Sequence, residues 1–447
     1  MGQETARVST VDPRIFGFDL PAGPVRPGAG RVLEVRDNAG KLVVAKVHVE
    51  LSDQLIVMLP DGQLEPRSKE EVHDTERPFV AITKDDLATR LKDELELDGF
   101  ATKKTRRYLY LYNTSEPFAV AASRIMETMF PGVLRYAEQQ KIEVHEPEVP
   151  LVVVMYRDEA EYRRRTKAPE GMLAFYNPVD NRVSLYESGS LALTRPDLAV
   201  QLALSTIAHE GAHQILHNIG VQQRLSVWPM WISEGLAEFF APTSTDNRAR
   251  WMGAGQVNNM RMFELEQYLK ARPADADGQL VEHSIVAARL TSTGYATSWA
   301  LTHYLAKNHR ATFHKYVHEV SKLGPLEGDL RIERPGIIPG NRTLFEKHFG
   351  DDYAALEKRL VTHLTRLPYT DPFANSPHVV ALISVPSGGR AKRDANVFRT
   401  EVLAAKWQHE VLDALPEGSR QAATVELRRF INKQVAQQFA VAWVRGG

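Results

Sequence analysis

Along the chain the apolar positions change period, and the changes divide it into parts. From Arg31 to Leu59 apolar and polar residues alternate in R-V-L-E-V-R, K-L-V-V-A-K-V-H-V-E and D-Q-L-I-V-M-L, with turn signals at 37–40 and at Asp61-Gly62. A period of two, as in Val43, Ala45, Val47 and Val49, predicts half-buried antiparallel strands, hence a small β-barrel or SH3-like module over 31–80. Residues 1–30 carry P-A-G-P-V-R-P-G-A-G and read as a linker or tail. Asp85–Leu97 is charged and helical in pattern. R-R-Y-L-Y-L-Y-N at 106–113 predicts a strand with its tyrosines on one face, and Ser115–Gln139 a helix that Pro131 interrupts. The apolar run V-P-L-V-V-V-M-Y at 149–156 predicts a strand buried on both faces. A hairpin is expected over 171–187, turning at N-P-V-D-N.

Thr194, with Pro196 and Asp197 after it, predicts a helix start, and the helical period then runs to about Asn218, before Gly220. Val221–Pro229 lets the chain reverse into a second helix near Trp231. Beyond Pro242 the pattern is mostly helical, with helices at 291–309, 313–323 and 343–367 and a Gly- and Pro-rich loop at 324–341. L-P-Y-T-D-P-F-A-N-S-P-H at 367–378 marks a boundary, and Ala404–Val444 predicts a terminal helical hairpin. The expected architecture is α+β: a β module, an α/β lobe over 81–245, a helical lobe over 246–370 and a C-terminal helical extension over 371–447.

The chain has 447 residues, 43% hydrophobic and 25% charged, which describes a soluble globular protein of several modules. A net charge of −1 argues against a broad nucleic-acid surface, and no apolar run is long enough to span a membrane. The absence of Cys excludes disulfides, thiolate-bound zinc and thiol catalysis. M-G-Q-E-T-A-R-V-S-T has neither the basic nor the apolar part of a secretion signal. The compartment therefore stays open: cytoplasmic as the chain stands, periplasmic or extracellular if this N-terminus follows a removed signal. The oligomeric state is not written in the sequence.

The chemistry concentrates in 207–242. Within I-A-H-E-G-A-H-Q-I-L-H-N-I-G, His209 and His213 stand on one helical face, about 6 Å apart along the axis. One Zn²⁺ can take a nitrogen from each, while Glu210 between them can hold a water and accept its proton. A third ligand is needed. Glu234 is an acid in the apolar W-I-S-E-G-L-A-E-F-F, where an isolated carboxylate would be costly unless neutralised, and a metal neutralises it. His217 extends the series but lies about 12 Å along the axis from His209, too far to share one tetrahedral ion. Glu238, four residues after Glu234, is a candidate carboxylate for the other nitrogen of a ligand His, or else an exposed acid. Gly211 costs roughly 1 kcal/mol in a helix, which close approach of a strand or of substrate would explain.

H-E-x-x-H followed by a Glu on the next helix resembles the gluzincin zinc metallopeptidases, and W-I-S-E-G-L-A-E-F-F is similar to W-L-N-E-G-F-A of aminopeptidase-N-type enzymes. The resemblance implies a thermolysin-like core and zinc bound by His209, His213 and Glu234. It implies Glu210 as general base and an edge strand, here Gly171, Met172, Leu173 and Ala174 onward, that binds the substrate backbone. G-Y-A-T-S-W-A-L-T-H-Y-L resembles Y-E-K-G-x-A-L-x-x-Y-L, where the first Tyr stabilises the oxyanion, so Tyr295 takes that role; His303 and Tyr304 are the alternatives. Thermolysin-like enzymes also place an acid at the offset of Glu238. G-x-M-E-N of the aminopeptidases, whose Glu binds the substrate amine, is replaced by Gly171-Met172-Leu173-Ala174-Phe175, which favours endopeptidase action. The nearest likeness, over about 100–380, is to an uncharacterised bacterial group known only as a domain of unknown function. The expected function is hydrolysis of a peptide or protein substrate. The alternatives are a non-catalytic metal protein acting through the β module, and a zinc hydrolase of another amide or ester.

Overall fold

Alternation at 42–58 produces the strands it predicts, though not the closed barrel. A computed structural model describes residues 7–8, 11–37, 40–188, 196–245, 248–273, 276–332, 334–388 and 390–446. They form an α+β chain in two compact units, Met1–Leu367 and Pro368–Gly447. The first unit opens with seven strands: β1 (Arg7–Val8), β2 (Pro24–Pro27), β3 (Val32–Arg36), β4 (Leu42–Glu50), β5 (Gln54–Met58), β6 (Leu64–Ser68) and β7 (His73–Asp74). β4 pairs with β2 and β3 along one edge and with β5 along the other; β6 follows β5, and β7 follows β3. Among the described residues β6 and β7 do not pair, so the sheet is open where a barrel was expected. The two-residue β7 is too short to carry the ladder round to β6. This sheet is no detached bead. Val49, Leu51, Ile56 and Leu64 share a core with Leu225 and Leu326, and the Leu64 N–H donates to the Val179 carbonyl at 2.8 Å.

Next come α1 (Lys84–Glu94), β8 (Ala101–Lys104), β9 (Tyr108–Tyr112), α2 (Glu116–Gln139), β10 (Leu151–Asp158), α3 (Glu159–Thr166), β11 (Ala174–Asn177), β12 (Arg182–Ser188) and α4 (Pro196–Asn218). Their five strands make one mixed sheet in the order β11-β12-β10-β9-β8. The central β12, β10 and β9 are parallel, and an antiparallel strand lies at each edge. Leu109, Leu111, Val152 and Val154 face Leu87, Leu91 and Tyr162 of α1 and α3, while α2 and α4 pack together beside them. All five residues of β9 are buried, tyrosines included. α2 runs through Pro131, where an interruption was expected. Met126, Met129, Phe130 and Val133 are buried on both sides of the proline, and that packing outweighs a cost of about 3 kcal/mol. The expected Thr194 cap lies outside the described residues.

The rest of this unit is α5 (Met230–Phe240), the short pair β13 (Thr243–Ser244) and β14 (Arg250–Trp251), α6 (Asn259–Ala271), α7 (Gln279–Val286), α8 (Ser292–Asn308), α9 (Arg310–Val320), α10 (Pro339–Phe349) and α11 (Tyr353–Leu364). The single helix expected over 343–367 is two, divided at Gly350. None of the described helices is long and apolar enough to cross a membrane.

The second unit corrects the expected helical extension. β15 (His378–Ser387) and β16 (Arg390–Phe398) form a hairpin, followed by α12 (Glu401–Asp413), α13 (Glu417–Ala422), β17 (Thr424–Phe430) and α14 (Lys433–Arg445). The sheet order is β16-β15-β17, all antiparallel. Val380 and Leu382 of β15 face α14, while Val379 and Ala381 face α12, so one strand is buried on both faces. Period-two residues Val425, Leu427 and Arg429 interrupt the helical pattern at β17.

Candidate metal centre

Helix α4 buries Ile207, Ala208, Ala212, Ile215 and Leu216, which fixes its rotation. His209 and His213 lie together on its remaining face. After α4 the chain reverses through 219–229, pinned by Val227 N–H to the Glu327 carbonyl (2.8 Å) and Leu326 N–H to the Leu225 carbonyl (2.9 Å). The return helix α5 is anchored by buried Trp231, whose indole N–H donates to the Tyr316 hydroxyl at 3.1 Å. One turn on, Glu234 points back at α4.

The three side chains converge on a point. His209 Nε2 lies 3.1 Å from Glu234 Oε2, His213 Nε2 lies 3.4 Å from the same oxygen, and the two ring nitrogens are 3.3 Å apart. Ligand atoms of one tetrahedral zinc, each about 2.0–2.1 Å from it, stand about 3.3–3.4 Å from one another. The triangle therefore has the size of a tetrahedral face, and among the described residues it is the group suited to hold a metal ion. The side chains keep 11, 13 and 13% exposure, so the triangle is not sealed from solvent.

Protonation makes the same point. His209 Nδ1 lies 3.1 Å from Glu238 Oε1, a close ionic contact with poor hydrogen-bond angles. Its Nε2 meanwhile faces Glu234. A neutral imidazole has one N–H and cannot serve both carboxylates. Burial works against a charged His209, yet the carboxylates of Glu238, Glu234 and Glu210 override it and hold the ring well above the usual histidine range. Burial would also raise Glu234, but the rings of His213 and His209 keep it far below the usual carboxylate range. Two ionised acids thus demand cationic charge here. A protonated His209 would supply it, and so would a metal on Nε2, which would leave the Nδ1 proton for Glu238.

Glu238 is itself held. Arg261 Nη2 donates to its Oε1 at 2.6 Å and Asn258 Nδ2 to its Oε2 at 2.9 Å; burial is opposed by Arg261 and then His209, which bring its pKa down to about 2. Asn258 also caps α6 by accepting from the Arg261 N–H at 3.2 Å. The Arg261 guanidinium lies 5.3 Å from the Tyr295 ring centroid and donates to Glu264 Oε2 at 2.8 Å. The Ser292 hydroxyl donates to the other Glu264 oxygen at 2.7 Å, tying α6 to the start of α8. Sequence reasoning missed Asn258 and Arg261. Their only local signal is a helix cap followed three residues later by a cation.

Tyr295, on the first turn of α8, places its ring centroid 6.2 Å from that of His209. Burial, then Glu234 and Glu210, raise its pKa, so the phenol keeps its proton. Glu210 Oε2 accepts the Tyr176 backbone N–H of β11 at 2.8 Å. β11 is an edge strand paired with β12 alone, and this bond shows Tyr176 N–H turned to the open side. By alternation the main-chain groups of Ala174 point the same way. Of the four candidate strand residues, Ala174 opens β11; Gly171, Met172 and Leu173 precede it in a turn in which the Met172 N–H meets the Pro169 carbonyl, and Met172 and Leu173 are exposed.

His217 stays outside the triangle with its ring 5.4 Å from that of Tyr176, and burial with His213 nearby pushes its pKa down to about 3. His303 and Tyr304 are engaged elsewhere, His303 Nδ1 with His363 Nε2 at 3.0 Å and the Tyr304 hydroxyl with His309 Nε2 at 3.1 Å. Gly211 is explained by α2: a Cβ there would lie 2.3 Å from Met126 Sδ, so a helix, not a strand or a substrate, fills the space.

A family model described as "Protein of unknown function (DUF1570)" matches residues 203–327, the stretch that contains His209, Glu210, His213, Glu234, Arg261 and Tyr295. No curated protein matches the chain.

Proposed function

We propose that the protein is a zinc-dependent metallopeptidase of gluzincin type. The observation that carries the reading is the triangle of His209 Nε2, His213 Nε2 and Glu234 Oε2, with sides of 3.1 to 3.4 Å. His209, His213 and Glu234 would hold the zinc ion, which would act as a Lewis acid on a substrate carbonyl and would lower the pKa of water towards neutral. Glu210 takes a proton from the attacking water and returns it to the leaving nitrogen as the C–N bond breaks. The Tyr295 phenol donates to the oxygen that gains negative charge. Glu238 orients the His209 ring, and Arg261 with Asn258 keeps Glu238 ionised and fixed.

The substrate is an extended peptide lying along the open edge of β11, where Ala174 offers a free N–H and C=O and Glu210 lies beside the same edge. No acid in 171–175 stands ready to bind an α-amine, so cleavage within a chain is preferred over removal of its first residue. Digestion of a broad peptide library with and without a chelator tests the reading. Cleavage that stops on chelation and returns with zinc supports it. Stoichiometric zinc without any cleavage would favour a non-catalytic metal protein, and cleavage of small esters alone a different hydrolase.

A further inference from the structure

The second unit leaves apolar surface uncovered. Of the sixteen large apolar side chains with substantial exposure among the described residues, eight lie in Pro368–Gly447, less than a fifth of the chain. Two of them, Val425 and Leu427, are on β17, an edge strand with six of its seven residues exposed. Ile431 follows just after it. An unpaired edge of this kind invites another strand unless charge or a bulge blunts it.

The register on β17 suits a copy of itself. The Gln408 amide donates to both the Leu382 and Glu426 carbonyls, at 3.0 and 2.9 Å, so those two carbonyls lie between β15 and β17. Alternation then turns the N–H and C=O groups of Val425, Leu427 and Arg429 to the free edge. A twofold axis at Leu427 pairs Leu427 with its own copy and Val425 with Arg429. It also sets Glu426 opposite Arg428 twice, as a non-hydrogen-bonded pair whose side chains stand closest. Glu426 and Arg428 already share one face, where Arg428 Nε donates to Glu426 Oε1 at 2.6 Å, so the axis closes them into a four-charge ring of alternating sign.

We propose that the protein forms an isologous homodimer by antiparallel pairing of β17 with β17 of a second copy, joining two three-stranded sheets into one of six strands. The full-length chain then sediments at twice its 50.2 kDa mass. Glu426→Arg alone and Arg428→Glu alone each place like charges opposite one another and give the monomer mass. Mixing the two variants in equal amounts restores opposite charges at every crossing and returns the doubled mass, one copy of each. That rescue cannot come from a variant that merely fails to fold. A wild-type chain monomeric throughout a dilution series from its highest soluble concentration overturns the proposal, as does a dimer that survives either single variant or a mixture that stays monomeric. Metal content and peptide cleavage are separate readouts of the first unit, so failure of the dimer leaves the proposed activity standing, and the reverse.

Discussion

Glu238 is 3% exposed and meets three partners, His209, Arg261 and Asn258. Replacing it with Ala frees the His209 ring to turn and leaves the half-buried Arg261 without its main counter-charge. Carboxylates that hold a metal-bound His tune affinity by 10- to 100-fold in general, so Glu238→Ala is expected to weaken zinc binding by about that factor. Competition with a chromophoric chelator measures it; an unchanged affinity would mean that Glu238 does not act on His209. At this scale the sequence is most legible where partners share an element. His209 and His213 are read from one helical face, Glu210 from its place between them, and Glu234 from an acid in an apolar helix. Arg261 is not legible, since it reaches Glu238 from another helix and no spacing along the chain encodes that meeting.

Two glycines decide how closely the helices around the centre approach, and they differ in kind. A Cβ on Gly235 of α5 would lie 2.3 Å from Thr302 Oγ1 and 2.7 Å from the Ser298 carbonyl oxygen of α8, and backbone cannot step aside. A Cβ on Gly211 would meet the flexible ends of Met126 and Met129. Gly235→Ala is therefore expected to cost about 1–3 kcal/mol by overpacking. It also moves α8, and with it Tyr295, away from the centre. Gly211→Ala gains about 1 kcal/mol of helix propensity against a small rearrangement and comes out near neutral. Urea unfolding of the two variants checks the order, and equal losses would contradict it. The elements themselves were legible wherever one period ran uninterrupted, as in α4, α8 and β10. They were misread where packing overrides a breaker, as at Pro131, or where a strand sits between two helices, as β17 does.

For the first unit as a whole, the N-terminal sheet is fastened to the elements that carry the centre. Arg224, 5% exposed, donates to the carbonyls of Pro178, Gly62 and Val179 at 2.6, 2.7 and 2.9 Å, clamping the β11–β12 turn to the N-terminal sheet. His48 of β4 completes the joint, its Nε2–H donating to the Arg224 carbonyl at 2.8 Å, and burial followed by the Arg224 charge pushes its pKa down to about 4. The unfolded chain takes up this proton near pH 6.5 and the folded chain only near 4, so stability falls as the pH drops between those values. A fall from 6.5 to about 4 corresponds to about 3 kcal/mol. Unfolding at pH 7 and 4.5 should show the wild type losing about 2–3 kcal/mol more than His48→Gln. Metal loss in acid affects both proteins and cancels in the difference; an equal loss in the two would contradict the joint. A module boundary near residue 80 was read from the change in period, but the joint depends on single residues more than a hundred positions apart. The chain offers no local sign of it.

The most direct test of the central claim is Glu210→Gln, read by metal content and by turnover of an unstructured protein such as casein. The substitution keeps the shape of the side chain and removes the proton acceptor, while His209, His213 and Glu234 are untouched. The account predicts one zinc per chain in both proteins and a rate about 10²- to 10⁴-fold lower in the variant. Unchanged turnover, or no zinc bound by either protein, would contradict it.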